Sequence, residues 1–178
     1  TIVEKIEVQI GKSGIVTPVA HLKPITLCGS VIKKCTLHNF DMLKLLDVRV
    51  NDTVVIHKAG EIIPNIINVI KDKRDDSSKE FQIPTTCPIC NSKIEKDKTT
   101  IYYKCTNSDC SDQLKNKIKF WASKKAMDID GLGPSIIDQL VEKKLIQDVS
   151  DLYKLTIKDL ESLDRMGTKS ATNLIKSI

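Results

Sequence analysis

Four of the six cysteines have the spacing of a metal site. Cys87 and Cys90 form one close pair, Cys105 and Cys110 form a second, and fourteen residues lie between the pairs. A tight turn can direct two sulfurs at one ion, and four thiolates complete a tetrahedron with no open position for water. The spacing therefore predicts one structural zinc ion. A redox dithiol or two disulfides would use the same residues, but neither explains two pairs at this separation.

Two similar glycine-containing segments occur in the last third of the chain. Ile129–Gly133 precedes Pro134, and Met166–Ala171 follows 34 residues later, with Arg165 where the first segment has Gly131. Glycine lets a backbone approach a phosphate closely, and the N–H groups at the start of the next helix attract that anion. Each glycine could instead merely end a helix, but the repetition favours two helix-hairpin-helix elements that bind DNA without sequence preference. The candidate contacts are Gly131, Gly133, Gly167, Thr168 and Lys169.

A lysine-rich helix is predicted directly after the cysteines. Leu114, Ile118 and Trp121 recur at intervals of four and three, which is the apolar stripe of an amphipathic helix, and the lysines of residues 115–125 occupy the other faces. Such lysines are usually a solvated face. Because a glycine segment follows, we favour the interpretation that they extend the same phosphate-binding surface. Trp121 is interpreted as a core residue.

Residues 1–72 have the pattern of a small β-barrel. Apolar and polar residues alternate in the first run, Gly11–Gly14 makes a turn, and later β-branched runs bring the number of predicted strands to five. The polar cluster Thr36–Asn39 can cap a helix between the third and fourth strands. Five strands with a helix in this place match the oligonucleotide/oligosaccharide-binding (OB) fold.

Three further stretches follow the predicted barrel. Residues 73–84 are predicted to be a linker, because the chain there begins with a charged run that lacks apolar residues. Residues 85–110 form the predicted zinc finger, and residues 111–178 have helical patterns, including a capping box at Thr156 and Asp159. The predicted fold class is therefore α+β with several modules: an OB barrel, a small four-cysteine zinc finger and a helix-hairpin-helix region.

Composition limits the possible classes of protein. Of 178 residues, 40% are hydrophobic and only 4% are aromatic, which favours several small cores over one large aromatic core. The formal charge of +5 is moderate, and no apolar run reaches the ~18 residues of a membrane span. The chain starts with Thr1 inside a strand-like pattern, so it is expected to be an internal fragment. Its cysteine usage predicts a reducing compartment, the cytoplasm.

Four segments resemble the middle portion of NAD-dependent DNA ligases of the bacterial type. They are Val8–Ala20, Thr36–Asn39, Ala59–Pro64 and Ala126–Gly133, and the last two bracket the cysteine pairs. The resemblance implies an enzyme that seals nicks in replication and repair. In that family a lysine takes AMP from NAD, the AMP moves to the 5′-phosphate, and the 3′-hydroxyl displaces it.

The same resemblance implies which part of the enzyme is present. The family's reactive lysine lies in a Lys-x-Asp-Gly motif, and this motif does not occur in the 178 residues. The segment is therefore expected to bind double-stranded nicked DNA, without sequence specificity and as a monomer, and to be inactive alone. NAD and magnesium are implied for the full enzyme, with NAD bound outside this segment. No catalytic residue is predicted here.

The resemblance also implies contacts between the barrel and DNA. These are Lys12 and Ser13 in the glycine turn, and Lys58, Ile62 and Ile63 around a second loop. The family usually has arginine at the positions of Lys12 and Lys58. Lysine keeps the charge but lacks the planar fork that binds a phosphate through two hydrogen bonds. Relatives commonly carry alanine at Cys28 and Cys35, so both are expected to be small buried residues.

Two other functions are compatible with parts of this pattern. The chain could be a non-catalytic DNA-binding module of a repair or recombination factor, and a Lys-x-Asp-Gly motif upstream would decide against that alternative. It could also be an RNA-binding barrel with a zinc ribbon. Such a barrel is expected to expose aromatic rings for base stacking, whereas the predicted barrel contains only Phe40.

Overall fold

The described part of the chain folds into seven strands, five α-helices and two short 3-10 helices. A computed structural model describes residues 1–60, 63–75 and 78–178. The strands are β1 (Val3–Ile10), β2 (Ile15–Leu27), β3 (Ser30–Thr36), β4 (Val54–Ala59), β5 (Ile63–Val69), β6 (Ile94–Lys96) and β7 (Tyr103–Cys105). The α-helices are α1 (Phe40–Leu46), α2 (Ser111–Trp121), α3 (Pro134–Glu142), α4 (Ile157–Glu161) and α5 (Thr168–Ser177). The 3-10 helices span Lys71–Lys73 and Val149–Lys154.

A seven-stranded sheet organises the first of two compact units, which comprises residues 1–10 and 15–106. β1 and β3 both pair antiparallel with the long strand β2, and β4 pairs antiparallel with β5. A single parallel pair, Thr36 with Asn65, joins β3 to β5. Five strands with α1 between β3 and β4 confirm the predicted OB-type arrangement.

The sheet continues from the barrel into the cysteine-containing segment. β6 and β7 form an antiparallel hairpin in which Ile94 lies opposite Cys105. β7 also pairs with the start of β2, where Ile15 lies opposite Lys104 and Val16 lies opposite Tyr103. The hairpin that contributes one of the four cysteines is therefore hydrogen-bonded to a barrel strand.

The core of the first unit follows from the alternation in its strands. Ile6 and Ile10 of β1 are buried, Val3 is buried too because the β1–β2 register is irregular between Val3 and Lys5, and α1 adds Phe40 and Leu43. The predicted cap of α1 is confirmed: the Asn39 side chain accepts a hydrogen bond from the backbone N–H of Met42 at 2.7 Å. The Phe40 ring stacks on Phe81 and meets Tyr103 edge-on, with ring centroids 6.3 and 5.2 Å away.

The second compact unit consists of the turn Gly11–Gly14 and residues 107–178. Each helical segment contributes buried apolar side chains to its core, for example Ile118, Leu140, Leu152, Leu160 and Leu174. The predicted capping box is confirmed at the start of α4, where the side chains of Thr156 and Asp159 each accept a hydrogen bond from the other's backbone N–H. Trp121 packs against this core, and its indole N–H donates to the Tyr153 hydroxyl at 3.1 Å.

None of the described helices is both long and apolar enough to cross a membrane. The boundaries at residues 72, 84 and 110 stay a prediction.

Candidate metal centre and nucleic-acid interface

The two cysteine pairs lie on hydrogen-bonded turns. In the first turn the backbone N–H of Asn91 donates to the Cys87 carbonyl at 2.9 Å, and the backbone N–H of Cys87 donates to the Ser92 carbonyl at 2.8 Å. Asn91 adopts a left-handed backbone conformation, with φ 58°, which closes the turn. In the second turn the N–H of Cys110 donates to the carbonyl of Asn107 at 3.3 Å, directly before α2.

All four sulfurs converge on one point. The Sγ atoms of Cys87, Cys90, Cys105 and Cys110 lie within 4.8 Å of one another, and those of Cys90 and Cys105 are 3.5 Å apart. A zinc ion with ~2.3 Å bonds to four sulfurs has tetrahedron edges of about 3.8 Å. A disulfide would bring two sulfurs to ~2.05 Å. The four residues therefore fit a metal ion better than a pair of disulfides.

Burial supports a structural role for this candidate metal centre. Cys87, Cys105 and Cys110 are buried, and Cys90 is half-buried. Four protein thiolates fill the coordination sphere of zinc, so no position is left for a water nucleophile or a substrate. A metal held there would stabilise the two turns and the β6–β7 hairpin, because Cys105 is the last residue of β7.

The two glycine-containing segments have the same backbone conformation. Gly131 has φ 81° and Arg165, at the matching position, has φ 61°, so both are left-handed. Gly133 and Gly167 are the N-caps of α3 and α5, with φ/ψ of −78°/167° and −90°/167°. Arg165 therefore adopts the conformation that glycine supplies in the first segment, and the second segment keeps the same fold.

The predicted contacts of the second unit differ in exposure and surroundings. Thr168 and Lys169 are exposed at the start of α5. Lys12 and Ser13 are exposed in the turn Gly11–Gly14, which is closed by a 2.9 Å hydrogen bond from the N–H of Gly14 to the carbonyl of Gly11. The Lys12 ammonium lies over the Phe120 ring, 3.1 Å from its centroid.

The predicted contacts of the first unit are only partly described. Lys58 is half-buried in β4, and its ammonium donates a hydrogen bond to the Ser30 hydroxyl. Ile63, the first residue of β5, is 54% exposed, so an apolar side chain is available at the start of that strand. Ile62 lies outside the described residues.

Comparisons with known proteins match both the first unit and the whole chain. Residues 1–78 match the family model of the NAD-dependent DNA ligase OB-fold domain. A DNA ligase of Saccharophagus degradans is 45% identical over 100% of the chain and 27% of its own length. Those of Acetivibrio thermocellus and Coprothermobacter proteolyticus are 44% and 47% identical, over 100% and 96% of the chain.

The chain is similar over its whole length to a segment of DNA ligases, and its residues 1–78 match the OB-fold domain of the NAD-dependent DNA ligase family. It spans about a quarter of the length of the curated relatives, 27% and 25% of the Saccharophagus and Coprothermobacter proteins. The resemblance of the four sequence segments to this family is therefore confirmed.

Not every lysine in the predicted basic helix has a charge free of ion pairs. Lys115 pairs with Glu142 at 2.9 Å and with Asp138 at 3.7 Å, and Lys119 pairs with Asp138 at 3.4 Å. Lys117, Lys124 and Lys125 are exposed, and within the described part of the chain they form no ion pair. The lysines of residues 115–125 are thus divided between an internal contact with α3 and a solvent-facing group.

One prediction about the remaining cysteines is wrong. Cys35 is buried in β3, as expected, and burial raises the pKa of its thiol to about 11. Cys28 is exposed, because it lies with Gly29 in the tight turn between β2 and β3 rather than inside a strand. Its φ of 47° is left-handed, a conformation typical of tight turns and not of strands.

Sequence reasoning missed a polar cluster on the barrel. The Asp52 side chain is 1% exposed and accepts hydrogen bonds from Arg74 at 2.8 and 2.7 Å and from the backbone N–H of Arg49 at 2.7 Å. Arg74 lies in the charged run that was predicted to be a linker. Hydrogen bonds from Arg49 and Arg74 lower the pKa of Asp47 to about 2. The sequence contains one feature that could have predicted this cluster, an aspartate inside the apolar run Val48–Ile56, because a buried carboxylate needs a cation as partner.

Proposed function

We propose that the chain is the duplex-DNA-binding portion of a DNA ligase that seals single-strand nicks during replication and repair. The observation that carries the proposal is similarity to DNA ligases along the whole chain, in a segment without the family's Lys-x-Asp-Gly motif. That similarity favours a ligase over a non-catalytic module of a repair or recombination factor. The protein would act in the cytoplasm as a monomer.

The chain would hold nicked DNA through its phosphates. Phosphate contacts position a protein on a duplex but carry no base information, so binding would be independent of sequence. The two glycine-capped segments, as helix-hairpin-helix elements, would present backbone N–H groups of α3 and α5 to phosphates. Lys12, Lys58 and Lys169 would add positive charge, since no carboxylate pairs with any of them among the described residues.

The barrel would position the ends of the nick rather than donate or accept protons. Holding reacting groups in place can supply a large part of a rate enhancement. In the full enzyme, adenylation of the 5′-phosphate makes AMP the leaving group. Attack by the 3′-hydroxyl oxygen then forms the phosphodiester bond and releases AMP. NAD and magnesium would serve the full enzyme, with NAD bound outside this segment.

Cys87, Cys90, Cys105 and Cys110 would hold one structural zinc ion. The chemistry supplied by the bound ion is four metal–thiolate bonds, and these cross-link two turns. The chain itself connects these turns to neighbouring elements. The β6–β7 hairpin pairs with β2 of the barrel, and Cys110 lies directly before α2.

A titration of the chain with nicked duplexes tests this proposal. We expect binding to unrelated duplexes with similar affinity, and no covalent AMP on the chain after incubation with labelled NAD. Lys58→Ala is expected to flatten the log–log dependence of affinity on salt by about 0.9, the value for one lost phosphate contact. Failure to bind any duplex, or adenylation of the chain itself, would contradict the proposal.

A further inference from the structure

We propose that Phe120 is a positioning residue that holds the ammonium of Lys12 in place for a DNA phosphate. The inference rests on the proposed function, because it assigns to Lys12 the phosphate contact suggested above. It adds a residue that carries no charge and makes no hydrogen bond of its own to DNA.

The contact between the two residues is short and lies within one compact unit. The Lys12 Nζ atom is 3.1 Å from the centroid of the Phe120 ring, and both residues belong to the second unit. A cation attracts the face of an aromatic ring when it lies within ~6 Å of the centroid. Lys12 stands in the turn Gly11–Gly14, so the ring contacts the tip of a short, closed turn.

Phe120 is the most exposed of the three phenylalanines. The chain has only three phenylalanines, and Phe120 is 43% exposed, whereas Phe40 is 1% exposed. In α2, the neighbouring residues Ile118 and Trp121 face the core, so the amphipathic stripe does not account for a ring at position 120. The contact with Lys12 explains why an exposed aromatic ring stands at this position.

A neutral ring is suited to this task in a way that a carboxylate is not. Lys115 and Lys119 of the same helix are held by Asp138 and Glu142, which offset their charge. The Phe120 ring limits the motion of Lys12 but leaves its full positive charge available to a phosphate. A free lysine side chain loses rotamer entropy when it is fixed, and a lysine already held by a ring loses less on binding.

The first measurement needs no DNA. The ε-methylene protons of Lys12 should be shifted upfield in the NMR spectrum of the zinc-loaded chain, because they lie over an aromatic face. Phe120→Leu, which keeps apolar volume without a ring, should remove the shift, and Phe120→Tyr should retain it. Random-coil shifts for Lys12 in the native chain would overturn the inference, whether or not the chain binds DNA.

The second measurement links the ring to binding. Phe120→Leu should weaken binding to a nicked duplex by about 2- to 5-fold, the range that corresponds to an exposed cation–π contact. Phe120→Tyr should bind like the native chain. In a Lys12→Met background, Phe120→Leu should have no further effect, and Lys125→Met serves as the control background in which the effect persists.

The outcomes separate this inference from the proposed function. Equal losses on Phe120→Leu in the Lys12→Met and native backgrounds would show that Phe120 acts without Lys12, which overturns the inference while DNA binding stands. Absence of duplex binding by the native chain would reject the proposed function and, with it, the role of Lys12 as a phosphate contact.

Discussion

The candidate metal centre and the glycine-capped helix starts are organised in opposite ways. At the metal centre four side chains of one type face one another and three of them are buried. At the starts of α3 and α5 the cap residues Gly133 and Gly167 have no atoms within 4 Å of the place where a Cβ would stand. At the candidate metal centre the cysteine side chains face other parts of the same chain, whereas the glycine-capped helix starts leave room for a ligand. Changes in the first should therefore cost stability, and changes in the second should cost binding.

The largest effect is expected from loss of a metal ligand. Cys105→Ser should abolish the binding of one zinc ion per chain and unfold the β6–β7 hairpin, because structural zinc supplies roughly 10–16 kcal/mol to small fingers. Elemental analysis and hydrogen exchange of the Ile15 and Val16 amides, which lie opposite β7, measure both effects. Cys28→Ser is the matched control and should retain zinc. A chain that lacks zinc as purified and is unaffected by chelator would refute the metal assignment.

A smaller loss of stability is expected at the buried carboxylate of the barrel. Asp52→Ala leaves Arg74 without two of its hydrogen bonds and should lower the free energy of unfolding by about 3 kcal/mol, since removing one partner of a buried pair costs roughly 3–5 kcal/mol. Asp72→Ala, at an exposed position, is the control and should change stability by less than about 0.5 kcal/mol. Chemical denaturation compares them, and equal stability of the two variants would count against the buried pair.

The two glycines of one segment should separate stability from binding. Gly133→Ala should lower the free energy of unfolding by about 0.5–1 kcal/mol, the cost of alanine at an N-cap, because its φ of −78° adds no backbone strain and its surroundings are open. Its new methyl group would keep a phosphate away from the helix start, so duplex affinity should fall about tenfold or more. Gly131→Ala should instead cost about 1–2 kcal/mol of stability, because φ is +81°. Thermal unfolding and duplex titration of both variants make the comparison, and unchanged affinity in Gly133→Ala would be inconsistent with a phosphate contact.

The smallest effect is expected from single lysines. Lys169→Met should reduce the salt slope of duplex binding by about 0.9, whereas Lys115→Met should leave it nearly unchanged, because Glu142 and Asp138 already pair with Lys115. The two variants lose the same charge, so a general electrostatic effect would change both slopes equally. Equal slopes in the two variants would show that the ion pairs do not decide which lysines meet DNA.

Much of the fold could be predicted because the signals are local. Asn39 lies next to the helix that it caps, and the cysteine pairs need only two turns to converge. The strands of the barrel follow from alternation, as in Ile6 and Ile10 of β1. The cap, the alternation and each close cysteine pair depend on residues a few positions apart, and the shared residue type and close spacing mark the two cysteine pairs as partners.

The remaining features depend on partners that are distant in the sequence. Arg74 meets Asp52 from 22 positions away, and Lys115 meets Glu142 from 27 positions away. The sequence shows that such residues are charged, but it does not show which residue of opposite charge pairs with them. For the same reason, the sequence alone did not distinguish the lysines of α2 that face α3 from those that face solvent.

We propose that this chain holds duplex DNA by its phosphates, and its affinity for nicked duplexes of unrelated sequence should be measured across a salt series. We expect similar affinity for every duplex and a linear fall of log affinity with log salt, at a slope of roughly −0.9 for each phosphate contact. A preference of ~1,000-fold for one duplex, the scale of dedicated base recognition, or an affinity that does not respond to salt, would contradict it.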